Sequence, residues 1–458
     1  MPGLPRPLAV AALAALAMAC PGGASAQRAG DAPATVIHAG RLLADPGETP
    51  LGPHTVVVRG NRIERIEPGL RPREDFGGDA TLVDLSDRFV LPGLIDLHVH
   101  LAIIMNADSA TAGSAPRLAL AAAGYGNRLL QAGVTTVRDV GDNGGVTFAL
   151  RDAFARNELP GPRVFAAGRI VSRSGGHGAR RARAIEVPYV AAACDGLESC
   201  RRAVRENVEQ GSDWIKLTVS GSGRETTGRA DAEPILFEDE LAAAAAAARQ
   251  AQRPVAAHAH STSAINLSLR HGARTIEHGT YFDDESAALF KRQGAFLVPT
   301  AHVAEFVRSQ LERFAGGGDG REAADLKAWT DAATQAPGRA WRAGIRLGLG
   351  TDGGPSFPPD ATAREVGLYV ASGVPAAEAI RAATASGAEA LGMAGSLGLI
   401  RPGYLADIIA VEGSPIDDPE RLRSVVFVMK DGIVHRLCRD GDTPRCPPRD
   451  APRVPRGE

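Results

Sequence analysis

His98 and His100 stand two apart in the run Leu91-Pro92-Gly93-Leu94-Ile95-Asp96-Leu97-His98-Val99-His100-Leu101. A Pro-Gly turn opens the run. The apolar stretch that follows is what a parallel strand buried on both faces needs. Residues two apart on a strand share a side, so both imidazoles can reach one point. Two neutral imidazoles on a rigid strand make half of a zinc site. Further ligand-type residues follow. His258 ends Val255-Ala256-Ala257-His258, and His278 stands in Thr275-Ile276-Glu277-His278-Gly279. Asp352 stands in Leu349-Gly350-Thr351-Asp352-Gly353-Gly354. Singly, each reads as a satisfied polar residue. Together they read as a metal-ligand set.

Lys216 is the odd member. It lies inside the apolar strand Asp213-Trp214-Ile215-Lys216-Leu217-Thr218. An ammonium there is costly to bury. It can pair with a carboxylate, or it can react with carbon dioxide to form a carbamate. The carbamate is an anion with two oxygens and can bridge two metal ions.

An alternating β/α unit must position these residues. Its eight expected strands are Leu94–Leu101, Val134–Asp139, Arg163–Ala167, Trp214–Val219, Val255–His258, Thr275–His278, Phe296–Thr300 and Arg346–Thr351. Helical stretches separate them. The clearest is Phe237–Ala251, with an alanine-rich interior and Glu238, Asp239 and Glu240 in its first turn. Eight such units predict an α/β fold, a (β/α)8 TIM-type barrel, whose function sits at the strands' C-terminal ends. Short strands flank it. Thr35–Ala39, His54–Arg59, Ile63–Ile66 and Thr81–Leu85 precede it, with Gly60-Asn61 as a tight turn. Ala406–Val411 and Val425–Lys430 follow it. Joining the two sets yields a small β-sandwich built from both chain ends. The expected divisions are 1–26 a signal peptide, 27–90 and 396–436 the sandwich, 91–395 the barrel and 437–458 a loose tail.

The 458 residues, 44% of them hydrophobic, suffice for both units. Lys plus Arg number 51 against 53 for Asp plus Glu, which offers no electrostatic case for nucleic acid. Arg6, the apolar run Leu8–Met18 and Ala24-Ser25-Ala26 read as a cleavable export signal. That run is short for a membrane span, and no other stretch is apolar enough. The expected location is therefore periplasmic or secreted. There Cys194 with Cys200, and Cys438 with Cys446, are expected to pair locally; the alternative is four free thiols.

The chain resembles the amidohydrolase superfamily of metal-dependent hydrolases over about residues 36–434. His98-Val99-His100, Lys216, His258, His278 and Asp352 fall on that family's metal positions. Gly133-Val134-Thr135-Thr136-Val137-Arg138-Asp139, Ile276-Glu277-His278-Gly279, Gly350-Thr351-Asp352 and Leu397–Asp407 resemble one branch of it. That branch holds Xaa-Pro dipeptidases, dipeptide-cleaving carboxypeptidases and ochratoxin-hydrolysing amidases. The resemblance implies two zinc ions bridged by N6-carboxylated Lys216, with a hydroxide between them. His98, His100 and Asp352 would hold the more buried ion, and His258 and His278 the more exposed one. Asp352 would take the hydroxide's proton and pass it to the leaving amine.

His177, in Ser174-Gly175-Gly176-His177-Gly178, and His260, where many relatives carry tyrosine, are the further candidates for substrate contact. His302 and the loop arginines Arg180, Arg181, Arg183 and Arg224 are weaker ones. The implied substrate is a small amide, either a dipeptide or an N-acyl amino acid. Two alternatives stay open: a cyclic-amide hydrolase like the imidazolonepropionases, and a non-catalytic binding protein on the same barrel. The first typically lacks a bridging lysine, and the second usually loses ligands. Oligomeric state is open, and a homo-oligomer is compatible with everything above.

Overall fold

The computed structural model describes residues 32–103, 114–142, 145–178, 191–222, 228–314 and 320–438. The expected signal peptide, Arg180, Arg181, Arg183, Arg224, Cys446 and nearly all of the expected tail lie outside them.

The chain opens with β1 (Ala34–Leu42), β2 (His54–Arg59), β3 (Arg62–Pro68) and β4 (Thr81–Pro92). The barrel region follows with β5 (Leu94–Val99), β6 (Val134–Asp139), β7 (Arg163–Ala166), β8 (Ile170–Ser172) and β9 (Ala191–Ala193). Next come β10 (Ile215–Thr218), β11 (Val255–Ala259), β12 (Thr275–His278), β13 (Phe296–Val298) and β14 (Arg346–Leu347). The last strands are β15 (Ile408–Val411), β16 (Val425–Lys430) and β17 (Ile433–Leu437).

Both chain ends enter one sheet, in the order β17-β16-β15-β4-β1-β2-β3. The join is β15 against β4, antiparallel, with Ala410 opposite Val90. Period-two alternation puts Ile37, Val56, Val83, Val90, Ile408, Ala410, Phe427 and Met429 into one core. The far edge, at β3, meets the segment that leads into β15. Gly403 N donates to Ile63 O at 2.8 Å and Ala406 N to Asn61 O at 2.9 Å. The expected sandwich is thus a single curled sheet. Its first half runs further than expected, since β4 continues to Pro92 and leads through Gly93 straight into β5.

The barrel forms as expected. Strands β10 to β14 pair in parallel in sequence, as do β5, β6 and β7. The third barrel strand is broken at Gly168, whose φ of 72° turns the chain. It pairs with β6 through β7 and with β10 through β8. The last gap closes where Leu97 N donates to Leu349 O at 2.8 Å and Val99 bridges Gly353 in parallel. The alanine-rich helix runs Glu238–Gln250, and Glu240 accepts from Phe237 N at 3.0 Å to cap it. Its small side chains, Ala244 and Ala248 among them, let it lie close on the barrel core.

Cys194 and Cys200 are joined as a disulfide. Cys438 is also disulfide-bonded. Among the described residues no helix is long and apolar enough to cross a membrane.

Candidate metal centre

The expected ligands converge at the C-terminal mouth of the barrel. His98 Nε2 and His100 Nε2 lie 3.5 and 3.2 Å from the same Asp352 oxygen. His98, His278 and Asp352 form one group of donor atoms within 4.8 Å of one another, and His258, His260 and His278 form a second. His278 belongs to both, so the two groups adjoin. His278, expected at one ion only, and His260, not expected as a ligand, both lie in ligand range.

Local backbone conformation aims these donors. His278 and Asp352, directly at or after strand ends, have φ of 68° and 56°. A side chain there costs roughly 1–3 kcal/mol in strain, typical of functional positions. Thr300, also left-handed at φ 54°, lies two residues past the end of β13, and its Oγ1 meets His278 Nδ1 at 2.7 Å. The expected strands Phe296–Thr300 and Arg346–Thr351 accordingly stop short at Val298 and Leu347. The chain leaves the ladder in order to turn its last residues into the mouth.

The electrostatics suit cation binding. Burial, with the charges of nearby His177 and His260, keeps His258 neutral well below the usual imidazole range. Burial also holds His98 down, to about 4. Neutral imidazoles are the ligating form. Burial works against the Asp352 carboxylate, but His98, His100 and Lys216 outweigh it and hold the carboxyl below its ordinary range. Lys216 is 3% exposed, and burial pushes its ammonium down to about 8. Among the described residues its ammonium makes no ion pair within 4 Å, although the Glu277 and Asp352 charges act on it through space. The carboxylate-pairing alternative for Lys216 therefore finds no support here.

A layer of residues that the sequence reading did not single out orders the ligands. His98 Nδ1 donates to Glu277 Oε2 at 2.7 Å. Arg138, fully buried over the Trp214 ring, donates to Glu277 Oε1 at 2.8 Å, to Thr275 Oγ1 and to Leu97 O. Asp96 accepts from the His98 and Thr351 amides and from the Thr351 and Thr362 hydroxyls. It thereby ties the first strand to the last. Arg138 and Glu277 are charges in apolar strands, and nothing local in the sequence shows that they meet across the fold.

Glu277→Gln is the test of this layer. Burial alone would raise the Glu277 carboxyl, but Arg138 and His98 bring it down to about 2. A depressed carboxyl stabilises the fold above its ordinary range, and that contribution is lost as pH falls toward 2. Glu277→Gln should cost about 3–5 kcal/mol at neutral pH, because Arg138 is left buried without its charge partner. Metal affinity should drop ~10–100-fold. Thermal melts at stepped pH should show the gap from wild type narrowing as pH is lowered. A gap that stays constant would mean Glu277 contributes by shape alone.

The other sequence candidates divide. His177 stacks on His258, with ring centroids 4.5 Å apart at 24°, and so belongs to the mouth. His260 stacks on His278 at 4.7 Å and 10°. His302 is buried beside the Phe357 ring, and its Nδ1 lies 3.8 Å from Glu305. It joins neither donor group.

Known proteins resemble this chain over most of its length. The model of the Amidohydrolase family matches residues 89–443. The ochratoxinase of Aspergillus niger is 31% identical over 442 residues, covering 88% of this chain and 86% of that protein. A crystal structure of a Xaa-Pro dipeptidase with methionine bound in the active site superposes with a TM-score of 0.79 at 31% identity, over 88% of this chain and 100% of the other. The A. niger ochratoxinase structure superposes with a TM-score of 0.78 at 26% identity, over 91% of this chain and 98% of the other.

Proposed function

The chain belongs to the amidohydrolase family and is a hydrolase of amide bonds, and from that premise we propose an exported binuclear zinc enzyme that cleaves a dipeptide or an N-acyl amino acid. The observation that carries the binuclear reading is Lys216. It is a buried lysine with no ion pair among the described residues, its charge bears on His98, His278 and Asp352, and burial holds its pKa down to about 8. A lowered pKa supplies the neutral amine that carbamate formation needs, and the carbamate removes the cost of the buried cation. The imidazole and carboxylate donors suit zinc.

Two bound metal ions would lower the pKa of water and polarise the substrate carbonyl. The protein's own residues do the rest. His98, His100, Asp352 and the Lys216 carbamate would hold one ion, and His258, His278 and the same carbamate the other. Asp352, kept ionised by its neighbours, accepts the water's proton and returns it to the leaving amine. His177 and His260, stacked on His258 and His278, would meet the substrate carbonyl.

The substrate class rests on similarity to an ochratoxinase and to a Xaa-Pro dipeptidase. Export is supported by the buried Cys194–Cys200 disulfide, which fits an oxidising compartment. The test is to purify the protein with zinc and bicarbonate, assay metal, and screen N-acyl amino acids and dipeptides. About two zinc ions per chain are expected. Full activity at one ion or fewer would defeat the binuclear reading, and turnover confined to cyclic amides would favour the imidazolonepropionase-like alternative.

A further inference from the structure

On distance alone His260 is as good a ligand as its neighbours, since its donor atom lies within 4.8 Å of those of His258 and His278. The ring's proton decides otherwise. A neutral imidazole has one N–H and one lone pair. A metal takes the lone pair, and the other nitrogen then donates to an acceptor. The proposed ligands meet this condition. His98 Nδ1 faces the Glu277 carboxylate, and His100 Nδ1 faces Gly141 O at 3.1 Å. His258 Nε2 faces Gly221 O at 3.2 Å. Carboxylates and carbonyls only accept. His278 Nδ1 faces the Thr300 hydroxyl, which can accept.

His260 meets the opposite partner. The indole Nε1–H of Trp329 donates to His260 Nδ1 at 3.4 Å. Indole has no acceptor, so Nδ1 must supply the lone pair. The Thr280 hydroxyl on the same atom, at 2.8 Å, can donate as well. A neutral ring whose Nδ1 accepts carries its proton on Nε2. Trp329 is well placed to enforce this. It is 5% exposed, set in the helix Gly320–Arg342 and packed with Ala304 and Ala333. The His260 backbone is held too: its amide donates to Ser220 Oγ at 2.9 Å, and its carbonyl accepts from Tyr281 N.

We infer that Trp329 is a positioning residue that fixes His260 as an Nε2–H donor to the oxygen of the scissile carbonyl, and so withholds it from the metal that His258 and His278 would hold. This rests on the amide-hydrolase reading and assigns one of its open roles. When the carbonyl carbon is attacked, its oxygen gains negative charge. A fixed N–H in a buried site stabilises that charge without reorganising, and removing one such donor typically costs ~100- to 1,000-fold in kcat.

Three measurements on the zinc-loaded protein test the inference. Selective 15N-histidine NMR, with the His260 signal assigned by its loss in His260→Ala, should show the Nε2–H tautomer in wild type. Trp329→Phe keeps an aromatic ring but removes the donor, so Nδ1–H should appear and kcat should fall by ~10-fold or more with little change in KM. His260→Ala should lose ~100-fold or more in kcat yet keep the wild-type metal content, and His260→Gln, which retains an N–H donor, should recover part of the loss. Loss of a metal ion from His260→Ala would make His260 a ligand and overturn the inference. So would a Trp329→Phe protein with unchanged tautomer and turnover. Tautomer and metal content are read without substrate, so they decide the assignment even if no amide is found to be cleaved.

Discussion

Lys216→Ala is expected to leave a folded protein with almost no turnover. The side chain is buried, and burial lowers its pKa to about 8 while Glu277 and Asp352 pull back only in part. A structural lysine of this kind would be held by a carboxylate within about 4 Å, and cutting such a buried pair costs about 3–5 kcal/mol. No such pair exists among the described residues, so Lys216→Ala should hold its melting temperature or raise it. Activity should move the other way. Losing a shared ligand should cost more than the ~10–100-fold that changes behind the ligands cost, and the metal content should fall with it. Short carboxylic acids, small enough for the vacated space, should restore part of the turnover by standing in for the carbamate. A variant with wild-type turnover, or one that loses stability and is not rescued, would return Lys216 to an ordinary core role.

Much of this is legible in the sequence. The two-residue spacing of His98 and His100 works on any strand, so their convergence needed no tertiary information. Strand ends in a barrel meet at one mouth, which placed His258, His278 and Asp352 together from chain order alone. What failed to show was whatever depends on distance between strands or on backbone sign. The Arg138–Glu277 contact spans 139 positions. The left-handed turns at His278, Thr300 and Asp352 are marked by no glycine, and the β-branched Thr300 is a type that rarely adopts this conformation. Trp329 reaches His260 from a helix 69 residues later in the chain, and nothing in its local pattern separates it from a core aromatic.

Asp352→Asn is expected to separate proton transfer from metal binding. The residue follows the last barrel strand, and its Oδ1 lies 3.5 Å from His98 Nε2 and 3.2 Å from His100 Nε2. Asparagine keeps the size and leaves a neutral oxygen that ligates weakly, so zinc content should fall less than in His98→Ala. It removes the basic oxygen outright. Positioned acid–base catalysis is worth about a hundred- to ten-thousand-fold, and kcat should drop by that order. The pH profile gives the sign. A base is active above its pKa and silent once protonated, so its loss appears as the acidic limb of kcat. Despite burial, His98, His100 and Lys216 hold the Asp352 carboxyl below its ordinary range, which sets that limb at low pH and keeps the base ionised at neutrality. In Asp352→Asn there is no carboxyl to protonate, and this limb should vanish. The fold should survive, because the Asp352 amide still donates to His98 O at 2.8 Å. Turnover, zinc content and pH profile measured on one preparation decide the matter. Near-normal kcat with the acidic limb intact would move proton transfer to another group, with His177, stacked on His258, the first to replace.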